Sequence, residues 1–186
     1  SADQDRALLG GPRRKIVLAT NIAQTSLTIE GVSTVVDSGL VKTLRFDVHT
    51  GTESLDEVKI SRASATQRAG RAGRTRPGRA FRMWSRQEEA AFPEHDTAEI
   101  QRIDLSSCLL DVVGFARVHP KDFPWFETPP PMALDRAVDL LTDLGALSTS
   151  RDHLTGLGEI LRQLPIPVRL GAFLVAAHSR GVAHEG

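Results

Sequence analysis

Apolar and polar positions along this chain change rhythm twice, and each rhythm predicts a different kind of element. Near the start, Ile16, Val17 and Leu18 form a short unbroken apolar run of the buried parallel-strand kind. It ends in Ala19, Thr20 and Asn21, small residues at a strand's carboxyl end, where open α/β sheets bind ligands. Val35 and Val36, followed by Asp37, Ser38 and Gly39, predict a second buried strand with a polar exit. Over residues 40–60 the rhythm is alternation: Leu44, Phe46 and Val48 interleave with Thr43, Arg45 and Asp47. Thr50-Gly51 makes a turn and Val58 and Ile60 lie on the returning strand, which predicts a β-hairpin. The alternation slips between Leu55 and Val58, so a bulge or an irregular strand is expected there. Pro77-Gly78 marks a turn, and Ala80–Trp84 reads as the last strand of the sheet.

After the polar stretch 88–97 the rhythm becomes helical. Ile103, Leu109, Leu110 and Val113 line one face. Leu134, Ala137, Val138, Leu141 and Leu144 make a cleaner stripe of i, i+3, i+4, i+7 type that stops at Gly145. Leu147 and Leu154 flank a short polar turn and suggest a small wing. The expected fold is therefore an α/β module with a parallel sheet, followed by a smaller, mainly α module. With 186 residues and 40% hydrophobic content, the chain can bury one moderate and one small core.

Charge changes this picture more than composition does. Lys and Arg number 23 and Asp and Glu number 23, for a formal net charge of zero. Yet residues 61–87 hold no acid, while Arg stands at 62, 68, 71, 74, 76, 79, 82 and 86. Glu88, Glu89, Glu94, Asp96, Glu99 and Asp104 follow at once. Local fields decide whether a polyanion is attracted, so a phosphate-bearing partner is expected.

The centre of that basic stretch reads Gln67-Arg68-Ala69-Gly70-Arg71-Ala72-Gly73-Arg74. A step of three brings Arg68, Arg71 and Arg74 onto roughly one helix face. A guanidinium is always charged and offers a planar fork of donors, which suits a transferring phosphoryl group. The plainer alternative is a solvated basic face. Against it, two glycines within a helix cost about 1 kcal/mol each relative to Ala. A merely solvated helix gains nothing to offset that.

Other chemistry is sparse. Cys108 sits on an apolar helical stretch, as a buried inert thiol would. The six His residues show no Cys/His spacing for zinc, so no metal site is assigned. No run approaches the roughly 18–20 apolar residues of a membrane span, and no secretory leader pattern opens the chain. No membrane partner and a cytoplasmic location are expected.

The run Ala19-Thr20-Asn21-Ile22-Ala23-Gln24-Thr25-Ser26-Leu27-Thr28-Ile29, then Val35–Gly39, then Gln67–Arg74 closely resembles motifs V, Va and VI of the DEAH/RHA group of superfamily 2 helicases. The bacterial HrpA/HrpB-type proteins are the most similar branch. The resemblance extends over the whole chain. It implies a second RecA-like domain over 1–95, incomplete on its N-terminal side, with a β-hairpin insertion at about 40–60 near the nucleic acid strand. On pattern alone that segment is equally a plain surface hairpin. Pro129-Pro130-Pro131 entering a helix, then Leu-Gly-Ala-Leu and Leu-Thr-x-Leu-Gly, again resembles this family, and the resemblance implies a winged-helix domain over 96–165, with residues 166–186 opening a ratchet-like helical domain.

The same resemblance implies an ATP-dependent RNA or DNA helicase that couples ATP hydrolysis to strand translocation. Gln67 would help place the attacking water and contact the γ-phosphate, while Arg71 and Arg74 would reach that phosphate across an interdomain cleft. Thr28 and Glu30 would contact the nucleotide, and Thr20 and Asn21 the nucleic acid backbone, expected to be single-stranded RNA. Three positions depart from the family: Gln24 replaces a usual Glu, Glu30 a usual Asp, and Pro167-Val168-Arg169-Leu170 a usual Asp-Pro-Arg-Leu. The chain holds no G-x-x-x-x-G-K-[ST] and no Asp-Glu-x-His. ATP with Mg2+ would therefore be held mainly by an upstream RecA-like domain of the same protein, and this chain alone should hydrolyse nothing. A winged-helix nucleic-acid-binding module and an inactive regulatory helicase-like fragment stand as alternatives.

Overall fold

The computed structural model describes residues 14–25, 29, 31–74 and 76–182. The chain divides into two compact units, Ser1–Leu44 with Leu55–Thr97, and Arg45–Ser54 with Ala98–Gly186.

In the first unit, strand β1 (Thr34–Asp37) pairs in parallel with β4 (Arg79–Arg82) in the register Thr34↔Arg79 to Asp37↔Arg82. The short helix α1 (Ile22–Thr25) and helix α2 (Arg62–Gly70) pack against each other, and α2 also packs on β1. Helix α3 (Arg86–Ala90) starts at Ser85 with a reciprocal capping box, Ser85 Oγ accepting from Glu88 N–H and the Glu88 carboxylate from Ser85 N–H. A small core of Ile60, Ala65 and Phe92 sits beside α2, with Val41 and Trp84 against it.

Three strand expectations need correction. Residues 14–20 form no strand, and Ile16 and Leu18 are 85% and 95% exposed. A parallel strand exists through its ladder, and none of these residues enters one among the described residues. β1 is also less buried than two adjacent valines suggest: Val35 is half-buried but Val36 is exposed, facing the equally exposed Phe81 across the ladder. The last strand stops at Arg82, short of Met83 and Trp84.

The hairpin of β2 (Leu40–Asp47) and β3 (Thr52–Lys59) forms as the alternation predicts. Asp47 Oδ1 accepts from the His49 and Thr50 N–H groups, a local bond that nucleates the turn, and those backbone donors hold its carboxyl below the usual range. β3 runs from Thr52 to Lys59 without interruption despite the slipped alternation. Leu55 and Val58 are simply both exposed.

The second unit is built on helices α4 (Ser106–Ala116), α5 (Pro131–Asp143), α6 (Gly156–Gln163) and α7 (Val168–Ser179). Leu109, Leu110 and Val113 of α4 and Leu134, Ala137, Val138 and Leu141 of α5 are buried in one core with Leu105, Leu147 and Leu161. Pro131 opens α5 where a missing N–H costs nothing, and Gly145 closes it at φ +71°. Ala146 N–H returns to the Leu141 carbonyl and Gly145 N–H to that of Thr142, a Schellman closure. Leu147 and Leu154 meet as an antiparallel bridge. The sequence reading does not predict α6: its Gly156 and Gly158 are poor helix formers, and it is held by the Thr155 cap on Gly158 N–H. Among the described residues no single helix is long and apolar enough to cross a membrane.

Candidate functional site

Ser61 starts α2 by accepting the Ser64 N–H at its hydroxyl, and no acid lies in the helix's first turn. The negative charge favoured there comes instead from Asp96, which accepts from Ser61 N–H at 3.3 Å and from the Ser64 hydroxyl at 2.5 Å. Burial pushes the Asp96 carboxyl up, but the bonds from Ser64 and Ser61 outweigh it and hold the group below its usual range.

The helix ends earlier than the Gln67–Arg74 pattern suggests. Past Gly70 the backbone tightens: Arg71 N–H bonds to Arg68, Ala72 N–H to Ala69 and Gly73 N–H to Gly70, each a three-residue return. Such a turn repeats every three residues and so preserves the stacking that a straight α-helix would lose. The glycines therefore lie at the end of the helix, not in its middle. Added Cβ atoms at Gly70 or Gly73 would meet nothing within 4 Å, so both border open space. Gly78 is different. A Cβ there would sit 1.9 Å from the Ala72 carbonyl oxygen, so only glycine lets the chain return behind this turn.

The three arginines do not share one role. Arg68 turns inward: its guanidinium reaches Asp37 Oδ1 at 2.9 Å, the Leu40 carbonyl at 3.1 Å and Gln24 Oε1 at 3.0 Å. Asp37 and Arg68 form a buried ion pair, only 6% and 14% exposed. Arg71 donates to the Gln24 backbone carbonyl. Arg74 lies exposed on the following bend, with no hydrogen bond or ion pair among the described residues.

Gln24, Gln67, Gly70, Arg71 and Arg74 line an open concavity of about 450 Å³. Its charged groups are two guanidiniums and its amides add further donors, so it suits an anion bearing several oxygens, such as a nucleotide's terminal phosphate. The same lining contains no carboxylate, and among the described residues no three His, Cys, Asp or Glu cluster as metal ligands. The concavity fits a phosphate group and does not fit a magnesium ion.

Thr20 and Asn21 are exposed at the start of α1, where their carbonyls accept from Ala23 and Gln24 N–H. They are outside the concavity but on the segment that carries Gln24 into it. Thr28 and Glu30 lie outside the described residues. Sequence reasoning passed over Asp37, Ser64 and Asp96 and met Gln24 only as a departure. Ser61-x-x-Ser64 had the form of a cap, and Asp37 was the one acid ending an apolar run, but neither names its partner. Cys108, expected to be a buried inert thiol, is half-buried, and burial raises its thiol.

Residues 5–76 match the helicase conserved C-terminal domain family. The chain is 44% identical over 176 residues to the human probable ATP-dependent RNA helicase DHX34, covering 94% of this chain and 15% of that protein. It is 41% identical over 177 residues to the ATP-dependent RNA helicase HrpB of Escherichia coli, covering 94% of this chain and 22% of that protein. A crystal structure of the E. coli DEAH/RHA helicase HrpB superposes with a TM-score of 0.86 at 39% identity, over 97% of this chain and 23% of that one. The chain thus spans between about a seventh and a quarter of the length of these relatives. Its arginine turn, its parallel strand pair and these likenesses agree: the chain carries part of a helicase conserved C-terminal domain and is similar over nearly its whole length to DEAH/RHA helicases.

Proposed function

We propose that this chain supplies the phosphate-sensing half of an ATPase site in an ATP-dependent RNA helicase. The observation that carries the reading is the concavity lined by Gln67, Arg71 and Arg74, whose charged groups are guanidiniums alone. The rest of the site, with the phosphate loop and the acids for Mg2+, belongs to an upstream RecA-like domain, because the chain contains neither motif. When ATP is bound between the two domains, Arg71 and Arg74 stabilise charge on the γ-phosphate oxygens as the bond to the leaving group breaks. Residues 96–165 act as a winged-helix domain, a reading that the packed helices α4 to α6 and the Leu147–Leu154 bridge support. Residues 166–186 open the next helical domain, with α7 as its first helix.

The purified 186-residue chain should therefore turn over no ATP in a malachite-green assay with RNA present. Steady turnover that depends on Gln67 would overturn the half-site reading.

Thr20 and Asn21 are proposed to contact the phosphate–sugar backbone of a single RNA strand. Their exposure and position directly before α1 support this. Such contacts carry no base information and weaken with salt through counterion release. In the full-length protein, changing both to Ala should lower RNA-stimulated ATPase and leave basal hydrolysis nearly intact. Full stimulation together with normal strand affinity would reduce these residues to polar ends of a helix.

A further inference from the structure

The hydrogen bonds around Gln24 all run in one direction. A guanidinium can only donate, so Arg68 Nε, 3.0 Å away, fixes Gln24 Oε1 as the acceptor. The Gln24 amide nitrogen then lies on the opposite side, 2.7 Å from Ser64 Oγ and 3.0 Å from Gln67 Oε1. Ser64 has one hydroxyl proton and gives it to the Asp96 carboxylate at 2.5 Å. Its oxygen is left to accept from Gln24. Both ends of the chain Arg68→Gln24→Ser64→Asp96 are groups with a single hydrogen-bonding role, which removes the usual ambiguity of amide orientation. The ionised Asp96 carboxyl, held below its usual range, is consistent with a pure acceptor.

Gln67 inherits its orientation from this chain. Its oxygen takes the second Gln24 proton, and its own NH2 group makes no hydrogen bond among the described residues while Gln67 lines the concavity. We infer that Gln24 is a positioning residue that engages the Gln67 carbonyl, so that Gln67 offers its amide protons to a phosphate oxygen and not its oxygen to the attacking water. The inference rests on the proposed nucleotide reading of the concavity; it keeps the expected γ-phosphate contact of Gln67 and replaces the expectation that its oxygen places the water. It also gives Gln24 a reason to be an amide where the family usually has Glu. A carboxylate at position 24 has no proton for the Gln67 oxygen. Gln67 would rotate to donate to it, and its oxygen would face the phosphate.

The test uses the full-length protein, ATP turnover, and calorimetric titration with ADP and with ADP plus beryllium fluoride, which fills the γ-phosphate position. Gln67→Glu is nearly isosteric at an exposed position, keeps an acceptor of Gln67, removes its donors and adds a negative charge where the phosphate would sit. It should weaken ADP–beryllium fluoride binding by about tenfold, the scale of one hydrogen bond to a charged group, and leave ADP binding nearly unchanged. Gln24→Glu should do the same, and in a Gln67→Ala background it should cause no further loss. Wild-type binding and turnover by Gln67→Glu would overturn the donor assignment. An undiminished loss from Gln24→Glu in the Gln67→Ala background would overturn the positioning role. Arg74→Ala, outside this hydrogen-bond chain, separates the two levels. If it leaves turnover untouched, the nucleotide reading fails and this inference falls with it. If it abolishes turnover while Gln67→Glu behaves as wild type, only the inference fails.

Discussion

Replacing Arg74 by Ala in the full-length protein should lower the ATP turnover number by roughly three orders of magnitude, the scale on which arginine fingers act. The size follows from what this side chain does and does not touch. Arg74 sits exposed on the bend after α2, borders the concavity and makes no hydrogen bond or ion pair among the described residues. Its removal breaks nothing in the described fold, so the loss should fall on turnover and not on stability. Nucleotide affinity should drop far less, because the growing charge on the phosphoryl oxygens exists only near the transition state. Arg74→Lys should recover little, since an ammonium cannot reproduce a planar fork of donors. Steady-state kinetics decide the matter: a change confined to the Michaelis constant would assign Arg74 to ground-state binding. Arg71 offers a less clean experiment. It is bonded to the Gln24 carbonyl, so its loss would disturb the support of the site together with its chemistry.

The elements that local rules govern were legible beforehand. Leu134, Ala137, Val138 and Leu141 are buried as their spacing predicts, and Gly145 ends their helix at positive φ. The hairpin turn forms at Thr50-Gly51 as expected, with Gly51 at positive φ. Gln67, Arg71 and Arg74 do line one concavity. What could not be read depends on partners distant in sequence. Arg68 and Arg71 look equivalent in a repeat of three, yet Arg68 is drawn inward by an acid 31 residues earlier. Asp96 belongs by composition to an acidic exit segment, but it crosses 32 residues to reach Ser64. Ile16–Leu18 has the apolarity of a strand and lacks a ladder, which no local pattern can supply. Motif resemblance names the residues that meet a ligand. It says much less about the side chains that hold those residues in position.

The largest effect on stability should come from Asp37. Its Oδ1 accepts from Arg68 at 2.9 Å and from Gly39 N–H at 3.0 Å, while Oδ2 is buried without a hydrogen-bond partner among the described residues. An ion pair so enclosed adds little net stability, since desolvation of both charges consumes most of the attraction. Breaking it is another matter. Asp37→Ala would leave the Arg68 guanidinium enclosed without its paired carboxylate, with the Leu40 carbonyl, Gln24 and the attraction of the Asp96 charge to balance it. That should cost the first unit on the order of 3 kcal/mol. Trp84 belongs to this unit and stacks beside Phe92 at 5.4 Å, so its fluorescence can follow urea unfolding in a Trp125→Phe background. The double variant Asp37→Leu with Arg68→Met should regain most of the lost stability, because it removes both charges and keeps apolar volume. It should nonetheless remain catalytically poor in the full-length protein, because Gln24 loses the donor that orients it. A single Asp37→Ala variant as stable as wild type would show that Arg68 finds water on unpairing, and that the pair does not brace the arginine turn.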